Sequence, residues 1–184
     1  MLFCVFDCET TSIHDPDLVE IGAVLMEHDR ERACLSLVVM PDGWVIPAEA
    51  TAVHGISDAD ARAVGVPLVI AVAAVTNLWA CAAVRVAHNL EFDEKVIRRA
   101  IARLGRESTV SWPPAECTKE LAAPVLNLPP TERMIAAGYG GKPKAPSLRE
   151  CYQHFFGQDV PGAHGALADA RACARVYLKL LEGK

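Results

Sequence analysis

The chain opens on a short apolar run, Leu2 to Phe6, that stops at Asp7, and a run of that length between polar neighbours predicts a buried strand over Leu2–Asp7. Leu18–Met26 and Ala33–Val39 have the same character, and Pro41-Asp-Gly43 punctuates the set. Three successive strands predict an antiparallel meander. Beyond it the period changes. Ser57-Asp-Ala-Asp60 has the hydroxyl-x-x-acid pattern of a helix start, Pro67 opens a further helix to about Ala82, and Val84–Ala87 reads as a short buried strand. From Asp93 to about Leu104, the apolar residues Ile97, Ala100, Ile101 and Leu104 recur at helical spacing, leaving Lys95, Arg98, Arg99, Arg103 and Arg106 largely outside. Shorter helical pieces follow Trp112-Pro-Pro114, then a Gly/Pro loop from Gly138 to Pro146, a helix capped by Ser147 and running to about Phe156, and a closing helix over about Ala166–Leu181. Strands first and then alternating helix and strand predict an α/β fold, a central mixed sheet flanked by helices.

One stretch departs from the usual helix pattern. No charged residue lies between Ala63 and Val84, a length sufficient on its own to cross a bilayer. Gly65, Pro67, Thr76 and Asn77 interrupt it, and chemistry-bearing motifs lie on both sides of it, so a buried helix is expected and no membrane span. Leu68, Val72, Val75 and Trp79 form one apolar stripe, and Val69, Ala73, Thr76 and Ala80 form a second that is nearly as apolar. An Ala-rich solvent face would account for the second stripe; the alternative is a homodimer or a protein partner docked through the 63–84 helix.

Composition narrows the class. At 184 residues, with 52% apolar and 22% charged positions, the chain is expected to form one domain spanning 1–184. The formal charge of −5 argues against a protein that coats polyanions, because such affinity comes largely from Lys and Arg neutralising phosphates. Seven cysteines, odd in number and without a Cys-x-x-Cys pair, predict reduced thiols rather than disulfides or structural zinc. The N-terminus lacks a basic leader region, so a cytoplasmic location is expected.

The chemistry lies in three acidic motifs: Asp7-Cys-Glu9, His88-Asn-Leu-Glu-Phe-Asp93 and His164-Gly-Ala-Leu-Ala-Asp169. Asp7 and Glu9, two apart on a strand, share a face. Asp93 follows the strand that ends near Ala87, at the sheet edge where α/β folds place ligand groups. Asp169 belongs in the first turn or so of the last helix, with His164 in the loop before it. Taken singly, Asp93 is an N-cap and Asp169 a solvated helix residue. Gathered together, carboxylates disfavour one another's ionisation unless a cation sits among them. A pair of hard cations roughly 3.5–4 Å apart, clamped by carboxylates, hydrolyses phosphodiesters. The constellation predicts a nuclease.

In order and spacing these motifs resemble the DEDDh exonucleases of the DnaQ-like, DNA polymerase III epsilon-like family. Phe6-Asp-Cys-Glu-Thr-Thr11 is similar to that family's first motif, Ala87-His-Asn-Leu-Glu-Phe-Asp93 to its second and His164-Gly-Ala-Leu-Ala-Asp-Ala170 to its third. Val53-His-Gly-Ile-Ser57 and Ser147-Leu148 are similar to non-catalytic signatures. Ser12 stands where the family commonly has glycine, and Gly165 where a longer polar side chain is frequent. The resemblance implies an RNase H-like fold and 3′-to-5′ exonuclease activity on single-stranded or frayed 3′ ends of DNA or RNA, releasing nucleoside 5′-monophosphates. It implies that Asp7, Glu9, Asp93 and Asp169 hold two Mg²⁺ or Mn²⁺ ions and that His164 is the general base, a task suited to an imidazole with an unperturbed pKa of about 6.5. Thr10 and Thr11 would meet the terminal sugar, and Ile13, His54, Asn89 and Phe92 the terminal nucleotide.

His54 has a bland alternative as a turn residue beside Gly55, and His14, His28 and His154 read as structural or surface residues. The basic helix face reads as solvated, whereas the Lys142–Lys144 loop suits contact with a nucleic-acid backbone. Competing functions are a non-catalytic end-binding or polymerase-associated subunit and a proofreading exonuclease. All five catalytic positions are filled, and the sequence ends at Lys184 directly after the last predicted helix. A stand-alone enzyme is therefore expected, or one whose partner docks on the body of the domain.

Overall fold

The computed structural model describes residues 1–106 and 110–183; Lys184 lies outside them. Five strands form one sheet in the order β3-β2-β1-β4-β5. They are β1 (Leu2–Thr10), β2 (Leu18–Glu27), β3 (Arg30–Val38), β4 (Val84–Ala87) and β5 (Ala115–Cys117). The first three make the expected antiparallel meander, while β4 runs parallel to β1 and β5 parallel to β4. The helices are α1 (Ala48–His54), α2 (Asp58–Val64), α3 (Leu68–Ala80), α4 (Leu90–Arg103), α5 (Thr118–Leu126), α6 (Glu132–Ala136), α7 (Leu148–Phe156) and α8 (Ala166–Glu182).

Strand alternation sorts β1 between two cores. Cys4, Phe6 and Cys8 face a layer built on α3 and α4, where Phe6 meets Trp79 edge-on at 4.9 Å. Phe3 and Val5 face α8, where Phe3 meets Tyr177 at 5.1 Å. Continued along the strand, the same alternation puts Asp7 and Glu9 on the α8 side.

Several boundaries differ from the sequence reading. β1 continues three residues beyond Asp7, because β2 pairs with it as far as Leu18, so Asp7 and Glu9 sit within the ladder. β3 starts at Arg30 rather than Ala33; its Arg30-Glu31-Arg32 start is exposed, as suits an edge strand. Pro67 stands at the N-cap of α3 rather than inside its first turn. α4 begins at Leu90, which moves Asp93 from the helix start to the end of the first turn. α1 and β5 went unpredicted: α1 buries no residue and so has no apolar face to read, and β5 spans three residues, too few to alternate.

Among the described residues no helix is long and apolar enough to cross a membrane. The inner stripe of α3 packs as expected, with Val72, Val75 and Trp79 buried. Its outer face is Ile70, Ala73, Asn77 and Ala80, with Ile70 50% exposed. Thr76 and Asn77 turn their side chains back onto the carbonyls of Val72 and Ala73. All seven cysteines are free thiols.

Candidate functional site

Asp7, Glu9 and Asp169 converge where the end of β1 meets the first turn of α8, each offering a carboxylate oxygen within 4.8 Å of the others. Asp93 approaches from α4. β4 stops at Ala87 and pairs with β1 only as far as Val5, so the Cys8 N–H has no strand partner on that side; the Asp93 carboxylate accepts it at 3.1 Å. That bond explains how an acid only 3% exposed is accommodated. It also leaves Asp93 just outside the cluster of three.

Electrostatics mark the site. Burial, followed by repulsion from Asp93, Asp169 and Glu9, holds the Asp7 carboxyl well above the ordinary range. Burial, with Asp169 and a further acid, Glu20, pushes Glu9 to about 7. Burial likewise raises Asp93 to about 8, against the lowering effect of the Cys8 N–H, and it raises Asp169. Four acids that resist ionisation together form a donor set for a hard divalent cation, since positive charge relieves the repulsion and oxygen ligands suit such ions. The residues present therefore fit a metal centre.

His164 lies in the loop before α8, exposed, with φ at 68°, and its backbone N–H donates to Asp169 Oδ2 at 3.2 Å. It and Asp169 border a cleft of about 350 Å³ that continues over Ser147, Leu148 and Arg149. On the other side of Glu9 a cleft of about 550 Å³ is lined by Thr10, Thr11, Ile13, Val53, His54 and Phe92, within the usual range of roughly 300–1,000 Å³ for small-ligand sites. Five of the six expected substrate residues thus share one cavity.

Asn89 stands apart from it. It occupies the N-cap of α4 and accepts a hydrogen bond from Lys119 at 2.5 Å. The two threonine hydroxyls serve the loop itself: Thr10 donates to the Ser12 carbonyl, and Thr11 accepts the Asp17 N–H. At His54, Nδ1 accepts the Ile56 N–H at 3.1 Å, which leaves the ring proton on Nε2, a buried atom without a hydrogen-bond partner among the described residues.

Basic residues on the outer face of α4 have partners within the chain. Lys95 donates to the His14 carbonyl at 2.6 Å, and Arg99 meets Asp17 at 3.2 Å. Arg103 meets the same Asp17 at 3.1 Å, while Arg98 pairs with Glu94 and lies over Trp112. These contacts pin the loop that carries Ile13. The Lys142–Lys144 loop is likewise engaged in part, with Lys144 paired to Glu150 and Lys142 over the Tyr139 ring.

The roles of two buried polar residues beside the site escaped the sequence reading. Glu20 sits beside Glu9 in the β1–β2 register and is only 9% exposed; a lone acid inside the apolar run Leu18–Met26 was the available signal. His88 was read only as part of a motif. It bridges Thr118 at 2.9 Å and the Pro146 carbonyl at 3.1 Å, and burial lowers it to about 4, so a neutral ring ties the loop before α7 to the end of β4.

A family model described as Exonuclease, RNase_T, matches residues 4–177. The chain belongs to the RNase_T exonuclease family. This exonuclease is 32% identical over 188 residues to the DNA polymerase III subunit epsilon-like protein of Rhodobacter capsulatus, a match that covers 98% of this chain and 24% of that protein. It is 29% identical over 186 residues to the PolC-type DNA polymerase III of Caldanaerobacter subterraneus, covering 98% of this chain and 12% of that one. The exonuclease therefore spans about a quarter and about an eighth of these relatives' lengths. Among solved structures it superposes on exonuclease I of Methylocaldum szegediense with a TM-score of 0.77 at 18% identity, covering 100% of this chain and 40% of that one. It superposes on exonuclease X in complex with 5′-overhanging duplex DNA with a TM-score of 0.68 at 21% identity, covering 99% and 92%. At such identities the likeness speaks for the fold, which is RNase H-like as expected.

Proposed function

We propose that this exonuclease is a metal-dependent enzyme that removes nucleoside 5′-monophosphates from the 3′ end of DNA or RNA, on single strands or frayed ends. The convergence of Asp7, Glu9 and Asp169 within 4.8 Å, with Asp93 behind them, is the observation that supports it most. These four acids would hold two Mg²⁺ or Mn²⁺ ions, Asp93 through an oxygen not bonded to Cys8. When bound, such ions neutralise phosphoryl oxygens and acidify water. His164, exposed at the mouth of the cleft beside Asp169, takes the proton of the attacking water. The larger cleft holds the terminal nucleoside, with Phe92 and Ile13 against the base and His54 in its wall. Exonuclease X, whose complex holds overhanging duplex DNA, supports a nucleic-acid terminus as the substrate. The polymerase names of the relatives favour a second reading, a proofreading exonuclease that works beside a polymerase.

A pocket that takes only a strand end makes a directional prediction. A 5′-labelled oligonucleotide will shorten one residue at a time, and a 3′-phosphate will block the reaction. Time courses on single-stranded DNA and RNA of identical sequence, with Mg²⁺ or Mn²⁺, check both points and rank the two substrates. Cutting of a circular single strand would exclude the pocket.

Self-association through α3 is a separate expectation, supported by half-exposed Ile70 on a helix without charged side chains. Light scattering should then give a mass near twice 19.8 kDa, and Ala73→Glu on the outer face should halve it. A parental mass of a single chain would remove the homodimer.

A further inference from the structure

Three carboxylates of the site stand on β1 and on α4, which packs directly beneath it, but Asp169 arrives on α8 after a long excursion of the chain. Its alignment depends on where the first turn of α8 is held. That turn has no cap of its own, because the N-cap residue is Gly165, which has no side chain to bond it. The cap comes instead from the sheet: Glu20 on β2 accepts the Ala166 N–H at 3.0 Å through one carboxylate oxygen and the Ser36 hydroxyl at 2.6 Å through the other. We propose that Glu20 is a positioning residue of this active site, anchoring the first turn of α8 so that Asp169 and His164 meet Asp7 and Glu9.

Three observations converge on this role. First, Glu20 lies next to Glu9 in the strand register and adds repulsion to Asp7, Glu9 and Asp169. A buried acid among acids is unfavourable unless a specific bond holds it, and a helix N-terminus is where a carboxylate is favoured. Second, Gly22, two residues on and so on the same face, lets the helix backbone rest on the strand, since a Cβ there would stand 2.1 Å from the Ala166 carbonyl carbon and from the Leu167 nitrogen. Ala166 is wholly buried in this seat. Third, Asp169 follows Ala166 by three residues and holds the His164 N–H, so the anchor governs the acid and the histidine together. Glu20 stands outside the cluster of three acids that could share an ion. Its two oxygens are already committed.

Charge and reach can be separated by substitution. Glu20→Gln keeps the reach and an acceptor for Ala166 and removes the charge; Glu20→Asp keeps the charge and withdraws it by one methylene. Turnover of 5′-labelled single-stranded DNA at saturating Mn²⁺ gives kcat and KM, and amide hydrogen exchange over residues 160–172 of the full chain, without substrate, reads the anchor itself. Because small misplacements of catalytic groups cost up to about a hundredfold, Glu20→Asp is expected to lose about tenfold to a hundredfold in kcat with KM little changed, and to exchange faster at the start of α8. Glu20→Gln should keep parental protection and a kcat within about threefold of the parent. Parental kcat and protection in Glu20→Asp would overturn the proposal. So would a Glu20→Gln variant that loses turnover while its protection stays intact, because that result assigns the effect to charge. The kinetic arm rests on the exonuclease reading, whereas the exchange arm does not; a parental chain without turnover would reject that reading and still leave the anchor decided.

Discussion

Asp7→Asn will lose exonuclease turnover by roughly a thousandfold or more, since an ion centre supplies several kcal/mol of charge stabilisation and each 1.36 kcal/mol is about tenfold in rate. It will also alter stability in a direction that depends on pH. The acids of the site have folded-state pKa values raised above their ordinary ones, with Glu9 at about 7 and Asp93 at about 8. Between the ordinary carboxylate range and those values, the folded chain keeps protons that the unfolded chain has released. Metal-free stability must therefore fall as pH rises through roughly 4 to 8. Replacing one of these acids by a neutral amide relieves part of that loss, so metal-free Asp7→Asn should melt higher than the parent at pH 8, with the difference shrinking toward pH 5. The parent regains stability on adding Mn²⁺, by about 2.7 kcal/mol at a hundredfold excess over Kd, or roughly 5–10 °C for a domain of this size. Asp7→Asn should forfeit most of that gain. Calorimetry at two pH values with and without Mn²⁺ measures both effects, and parental turnover in the variant would exclude the metal-centre reading.

His164→Ala should separate proton transfer from metal binding. A positioned general base contributes roughly 10²–10⁴-fold, and a loss in that range is expected at saturating Mn²⁺. The metal-linked rise in melting temperature should persist, because the His164 contact to Asp169 is made by the backbone N–H and survives the substitution. A variant with the parental rate would assign the base to another group.

Legibility followed the range of the forces involved. The run Leu18–Met26 and the 3.6-residue repeat of α4 are local patterns, and both elements appear where the pattern ends, within a few residues. Ser147 was legible as a cap because its partner, the Glu150 N–H, lies three residues away. Asp7, Glu9 and Asp169 were legible as a group through their motifs. What the motifs could not show was the use made of Asp93, whose bond to the Cys8 N–H spans 85 residues and exists because β4 is shorter than β1. Glu20 was hidden for a similar reason, since its partner Ala166 is 146 residues away. α1 stayed hidden because a helix that buries nothing leaves no period in the sequence.

The pairing of the basic residues on α4 bears on how a strand is held. Lys95, Arg99 and Arg103 are spent on the loop that carries Ile13, and Arg98 on Glu94 and Trp112. Cations held in such pairs are less ready to displace the ions condensed on a polyanion, and the salt dependence of binding to single strands scales with the number of phosphates neutralised, at a slope of about −0.7 for each. In the terminus-binding reading proposed above, this face would contribute little to holding the rest of the strand. The α4 face should therefore add little to the salt dependence of strand binding.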